Sequence, residues 1–179
     1  GCEFLVFDET LVNSMVLSTL EGVEPKINMG QTRWYKKMDP QKTYVVALDP
    51  AMGTGGDNAA IQVLELPTFE QVAEWKHNTT PVPQQVRILK DICNHIKDET
   101  QSSGSNIYWS VENNTIGESA LLVINDFGED QIPGMFVSEP IRKGHIRKFR
   151  KGFNTTHKTK ISACSRLKNM IEKGKLKIY

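Results

Sequence analysis

The chain has 179 residues, 39% apolar and 24% charged, which is ordinary for a soluble globular protein and suits one domain plus an attached segment. No apolar stretch is long enough to span a bilayer, so no membrane partner is expected, and the N-terminus is not a signal peptide. The net charge of +1 hides a split: residues 1–139 carry 9 Lys/Arg against 20 Asp/Glu, and residues 140–179 carry 13 against 1. A net of −11 followed by a net of +12 points to a localised contact with a polyanion. Cys2, Cys93 and Cys164 are far apart, with no CxxC pair. They read as reduced thiols of a cytosolic protein, not as a disulfide framework or a zinc site.

In chain order, residues 3–7 suggest a short strand, and the chain opens in mid-pattern without Met, as if cut from something longer. Residues 21–43 hold Gly22, Pro25, Gly30 and Pro40 and read as a linker, with Trp34 and Tyr35 pinning it to a surface. The globular pattern begins with a β-branched run at 44–49, a strand that ends on Asp49. A loop rich in small residues, Gly53-Thr54-Gly55-Gly56, leads to a second acid, Asp57. Strands are expected at 58–66 and 70–77, with a turn at Pro67-Thr68 between them. A helix over 83–99 carries Val86, Leu89, Cys93 and Ile96 at helical spacing. A strand at 106–112 ends on Glu112, a helix spans 115–127, and 135–137 is a short strand. Residues 139–153 read as a basic loop. A helix capped by Asn154 or Thr155 runs to Lys173, and Lys175–Tyr179 reads as a last strand.

Three strands joined by tight turns, then helix, strand, helix and strand, predict an α/β mixed sheet. Its first three strands are antiparallel, the fourth and fifth run parallel to the first, and helices flank it. If the fourth strand lies beside the first, Asp49 and Glu112 meet at the C-terminal edge, where ligands collect in such sheets. Asp49, Glu112 and Asp57 are candidate ligands for a hard cation such as Mg²⁺ or Mn²⁺. Hydrolysis of a phosphodiester by two ions roughly 3.5–4 Å apart needs such shared carboxylates. The alternatives are a plain hairpin with a polar turn at 49–57 and a solvated strand end at Glu112. Arg142, Lys143, Arg147, Lys148, Arg150 and Lys151, with Lys158 and Lys160, lie in a stretch (140–171) without a single acid. They are candidate phosphate contacts on nucleic acid, against the alternative of a solvated face. The four histidines have no ligand spacing. The glycine loop lacks the Lys-Ser/Thr of a P-loop, so no ATP site is expected in this chain.

Three stretches resemble the nuclease half of the large terminase subunit of tailed bacteriophages, of the contractile-tailed kind. They are Tyr44–Asp49 with Gly53 to Asp57, Val111-Glu112-Asn113-Asn114-Thr115-Ile116-Gly117, and Thr159-Lys160 with Leu167 to Leu176. The resemblance covers roughly residues 44–179, and residues 1–43 resemble the end of the ATPase region and its hinge. It implies a ribonuclease H-like fold and a Mg²⁺- or Mn²⁺-dependent endonuclease that cuts concatemeric double-stranded DNA. Asp49 and Glu112 match the family's first two catalytic acids, and Asp57 an auxiliary one. It also implies a terminase small subunit and a portal as partners of the parent protein, ATP bound only in an ATPase domain outside this chain, and work in the host cytoplasm. The family's third catalytic Asp follows the strand matching 175–179, so the domain is expected to be C-terminally incomplete and poorly active alone. The rivals are another ribonuclease H-like nuclease, of resolvase or transposase type, and a non-catalytic DNA-binding or motor-docking fragment.

Overall fold

The computed structural model describes residues 32–113, 116–143, 146–150, 168–169 and 171–173. Eight strands and two α-helices are assigned among them: β1 Arg33–Trp34, β2 Thr43–Asp49, β3 Ala59–Leu66, β4 Glu70–His77, α1 Val82–Glu99, β5 Ile107–Val111, α2 Gly117–Phe127, β6 Met135–Phe136, β7 Glu139–Lys143 and β8 Ile146–Arg150. Strands β1 to β6 form one sheet in the order β1-β4-β3-β2-β5-β6. The β2–β3 and β3–β4 pairs are antiparallel, and β5 runs parallel to β2. This is the mixed sheet expected for a ribonuclease H-like fold. The expected strand at 175–179 and most of the expected third helix lie outside the described residues. Residues 168–169 and 171–172 are helical, and Lys168 pairs with Glu172 at 3.8 Å.

The central strand β2 is buried along both faces, which is why it reads as a continuous apolar run rather than an alternating one. Tyr44, Val46 and Leu48 point to the face covered by the helices. There they join Ile61 and Val63 of β3, Trp109 of β5, and the stripe Val86, Leu89, Ile92, Cys93 and Ile96 of α1. Helix α2 adds Ala120 and Ile124 to the same core. Val45 and Ala47 point to the second face, where Leu64 and Tyr108 are also buried. Strand β4 carries a bulge at Val72, since Val63 pairs with Ala73 and Leu64 with Gln71. The extra residue lets Val72 and Ala73 both enter the core.

Two elements differ from the sequence expectation. Residues 33–34, inside the expected linker, form an edge strand antiparallel to β4. Burial of Trp34 drives this docking, with its ring 4.4 Å from that of His95 on α1. Lys36 follows and bridges Glu65 and Glu70, each at 3.0 Å. Glu65 is 3% exposed and also accepts from the Tyr44 hydroxyl at 2.9 Å, so this buried carboxylate has both a cation and a donor. Burial alone would lower the Lys36 pKa, but the hydrogen bonds to Glu70 and Glu65 outweigh it and raise it. The second difference is at 139–150. The expected basic loop is there a two-stranded antiparallel ribbon, β7 with β8, joined across residues 144–145. Its register sets Arg142 opposite Arg147 and Ile141 opposite Lys148.

Candidate functional site

Asp49 is the last residue of β2, and Glu112 directly follows the last residue of β5. The parallel register pairs Leu48 with Val111. The Glu112 N–H then donates to the Leu48 carbonyl at 2.8 Å, carrying the ladder one step further. Asp49 and Glu112 are thus neighbours across adjacent strands, which lie about 4.8 Å apart. Leu48 and Val111 both face the helices, so strand alternation sends Asp49 and Glu112 to the opposite face together.

Beyond Asp49 the chain turns through 50–58 and returns as β3. This turn walls a cleft of about 580 Å³, lined by Asp49, Ala51, Met52, Gly53, Asp57 and Ile116 among others. Asp49 and Asp57 therefore face one cavity from opposite ends of one loop. Glu112 does not line the cleft and is only 5% exposed. Among the described residues, no group of three or more His, Cys, Asp or Glu side chains is drawn close enough to hold an ion. The structure brings Asp49 beside Glu112 and puts Asp57 on the cleft wall, without gathering all three into one ligand set.

Close backbone approaches shape this edge. Gly53 has φ +77°, and a Cβ there would fall 2.4 Å from the Thr80 carbonyl oxygen. At the head of α2, a Cβ on Gly117 would fall 2.6 Å from the Glu112 carbonyl oxygen. Gly117 thus lets the helix start directly against the residue that follows β5. Gly55 N–H donates to the Asn78 carbonyl at 2.9 Å, and Asn78 Nδ2 donates back to the Gly55 carbonyl at 3.2 Å. Gln85 of α1 bonds both backbone groups of Ala51.

The donor chemistry fits a hard cation. Asp49 and Glu112 offer carboxylate oxygens, the preference of Mg²⁺ and Mn²⁺. Of the candidate phosphate contacts, Arg142, Lys143, Arg147, Lys148 and Arg150 belong to the β7–β8 ribbon. Lys151, Lys158 and Lys160 lie outside the described residues.

The sequence did not single out the cleft residue Met52 or Gln85, and it marked Ile116 and Gly117 only as part of the stretch 111–117. Met52 is 66% exposed, an unusual place for a large apolar side chain. Its position just before Gly53 was the only available signal. Gly117 was legible as part of a motif but not as a contact of Glu112.

Residues 46–179 match the family model of the terminase RNaseH-like domain. A search of curated proteins finds no match. Similar solved structures include the large terminase nuclease from thermophilic phage G20c with bound magnesium, 14% identical, with a TM-score of 0.47 and coverage of 81% of this chain and 62% of that one. The same nuclease with bound zinc is 16% identical, with a TM-score of 0.46 over 81% and 68%. The Thermus phage P74-26 large terminase nuclease domain is 17% identical, with a TM-score of 0.40 over 81% and 60%. This chain spans about 62% of the length of the magnesium-bound nuclease. The family match runs from within β2 through both strand-end acids to the last residue, and the chain belongs to the terminase RNaseH-like domain family.

Proposed function

We propose that this chain is the metal-dependent endonuclease domain of a DNA-packaging terminase, which cuts concatemeric double-stranded DNA. The observation that carries the reading is the β2–β5 register, which sets Asp49 beside Glu112 next to an open cleft. Asp49 and Glu112 would hold Mg²⁺ or Mn²⁺. A bound ion of this kind supplies Lewis-acid stabilisation of charge on the phosphate oxygens. Asp49 fixes one wall of the reaction space. Asp57 lines the same cleft and would accept a hydrogen bond from a water there. The β7–β8 ribbon supplies cations for the flanking phosphates of the duplex. Within a parent motor the domain would act in the host cytoplasm, with a small subunit and a portal as partners and ATP bound elsewhere in the motor.

Supercoiled plasmid with Mn²⁺ tests the reading. Within its parent protein the domain should nick or linearise it, and this chain alone should do so poorly. Asp49→Ala or Glu112→Ala in the parent should slow cleavage by at least about 100-fold, the upper range for losing even an outer-shell partner of a metal. Cleavage that survives both substitutions would sink the assignment of these acids. Duplex binding without any cleavage by the domain in its parent protein would favour the non-catalytic DNA-binding reading instead.

A further inference from the structure

Gln85 lies in the first turn of α1 and is fully buried. A buried amide must satisfy two N–H donors and a carbonyl acceptor. Gln85 meets all of these with backbone groups outside its own helix. Its Nε2 donates to the Ala51 carbonyl at 2.7 Å and to the Thr80 carbonyl at 2.8 Å, and its Oε1 accepts from the Ala51 N–H at 3.3 Å. Ala51 stands two residues past Asp49, where the β2–β3 ladder has ended. One side chain therefore takes both backbone groups of Ala51, as a partner strand would. The Thr80 carbonyl that accepts from Gln85 is also the atom against which Gly53 packs without room for a Cβ. At the far end of the loop, Gly55 and Asn78 exchange two hydrogen bonds.

The loop between the two cleft acids is thus tied at three points to the segment 78–85. That segment is itself anchored by the buried residues Val86, Leu89 and Ile92 of α1. We infer that Gln85 is a positioning residue: it holds Ala51 against α1 and so sets where Asp49 stands in the cleft. The clamp stands on hydrogen bonds alone. Its consequence for metal affinity rests on the nuclease reading above.

Two substitutions separate hydrogen bonding from packing. Gln85→Met keeps the length and removes every hydrogen bond. Gln85→Glu keeps the shape and the acceptor for Ala51 N–H, but turns an oxygen toward two carbonyl oxygens. Three measurements on the whole chain apply: hydrogen exchange of the 50–57 amides without metal, calorimetric titration with Mn²⁺, and duplex binding without metal. In Gln85→Met the Ala51 amide should exchange about tenfold faster or more, the scale of a lost buried hydrogen bond. Amides in the middle of α1 should keep their protection. The Mn²⁺ dissociation constant should rise about 10–100-fold, as for other outer-shell losses. Metal-free duplex binding should stay within about twofold, since phosphate contacts on the ribbon set it. Gln85→Glu should be more severe than Gln85→Met on the first two readouts.

Wild-type exchange at Ala51 in Gln85→Met overturns the clamp. Equal effects of Met and Glu also overturn it, by making Gln85 a packing residue. Faster exchange with unchanged Mn²⁺ affinity overturns the positioning role. A wild-type chain that binds no Mn²⁺ sinks the nuclease reading instead, and the exchange data still decide the clamp. Should Gln85→Met fail to fold, Gln85→Asn, one methylene short of spanning Ala51 and Thr80, gives the same readouts in milder form.

Discussion

Gly53 and Gly56 stand three residues apart in one loop and should respond oppositely to a methyl group. At Gly53 the backbone has φ +77°, and the Thr80 carbonyl blocks a Cβ at 2.4 Å. Gly53→Ala should lower stability by about 1–3 kcal/mol, because both the strained dihedral and the clash must be relieved. At Gly56 nothing lies within 4 Å and φ is not in the left-handed range. Gly56→Ala should be neutral or stabilising by up to about 1 kcal/mol, through a less flexible unfolded chain. Denaturant midpoints of the two variants check this, and equal shifts would mean that Thr80 does not confine the loop. The sequence made this loop legible as a tight turn between two acids. It could not show which glycine is indispensable, because the obstructing carbonyl belongs to the approach to another element, beyond β3 and β4. Gln85 was hidden for the same reason: a glutamine beside Gln84 and after two prolines reads as a solvated helix start, and only the fold brings Ala51 to it.

Strand β1 is held by the tilted ring contact of Trp34 with His95, and that contact should make the element sensitive to acid. Burial lowers the His95 pKa below its ordinary value of 6.5, although Glu99 and Asp98 pull the other way. A lowered value means that the unfolded chain takes up this proton before the folded chain does. Stability contributed by neutral His95 is therefore complete above about pH 6.5 and is lost as pH falls from there toward the lower folded value. Thermal unfolding at about pH 7.5 and 5.5 should show a drop that is smaller in His95→Phe, which keeps a ring beside Trp34 without the proton. An identical drop in both would place the acid sensitivity elsewhere. At the scale of elements the sequence was most legible where periodicity was strong. Strands β2, β3 and β4 and helix α1 each begin and end within a residue of their expected bounds. It failed at β1, because two residues carry no period and only the burial of Trp34 reveals their role. It failed at β7 and β8 because half of residues 139–150 are charged, which resembles a solvated loop.

Across the whole molecule, charge and cleft oppose one another, and this governs how DNA could approach. The first 139 residues carry a net of −11, and the cleft itself opens between Asp49 and Asp57. A phosphate backbone is repelled by such a surface unless cations intervene. The strands β7 and β8 supply Arg142, Lys143, Arg147, Lys148 and Arg150 directly after the acidic stretch. Replacing Arg142, Arg147, Lys148 and Arg150 together by Ala should weaken binding to all duplex sequences about equally, since phosphates carry no sequence information. For every phosphate no longer neutralised, the plot of log affinity against log salt should also flatten by about 0.9, through fewer released counterions. The acidic cleft adds a second, separable term. If Asp49 and Glu112 hold an ion as proposed, divalent cation should strengthen duplex binding by the wild-type chain beyond the effect of matched monovalent salt, because that ion would convert a repulsive edge into an attractive one. Asp49→Ala should lose that increment and keep the monovalent slope, and the ribbon variant should do the reverse. If the two variants lose both effects together, the ribbon and the strand-end acids do not act independently, and one contiguous surface must carry both.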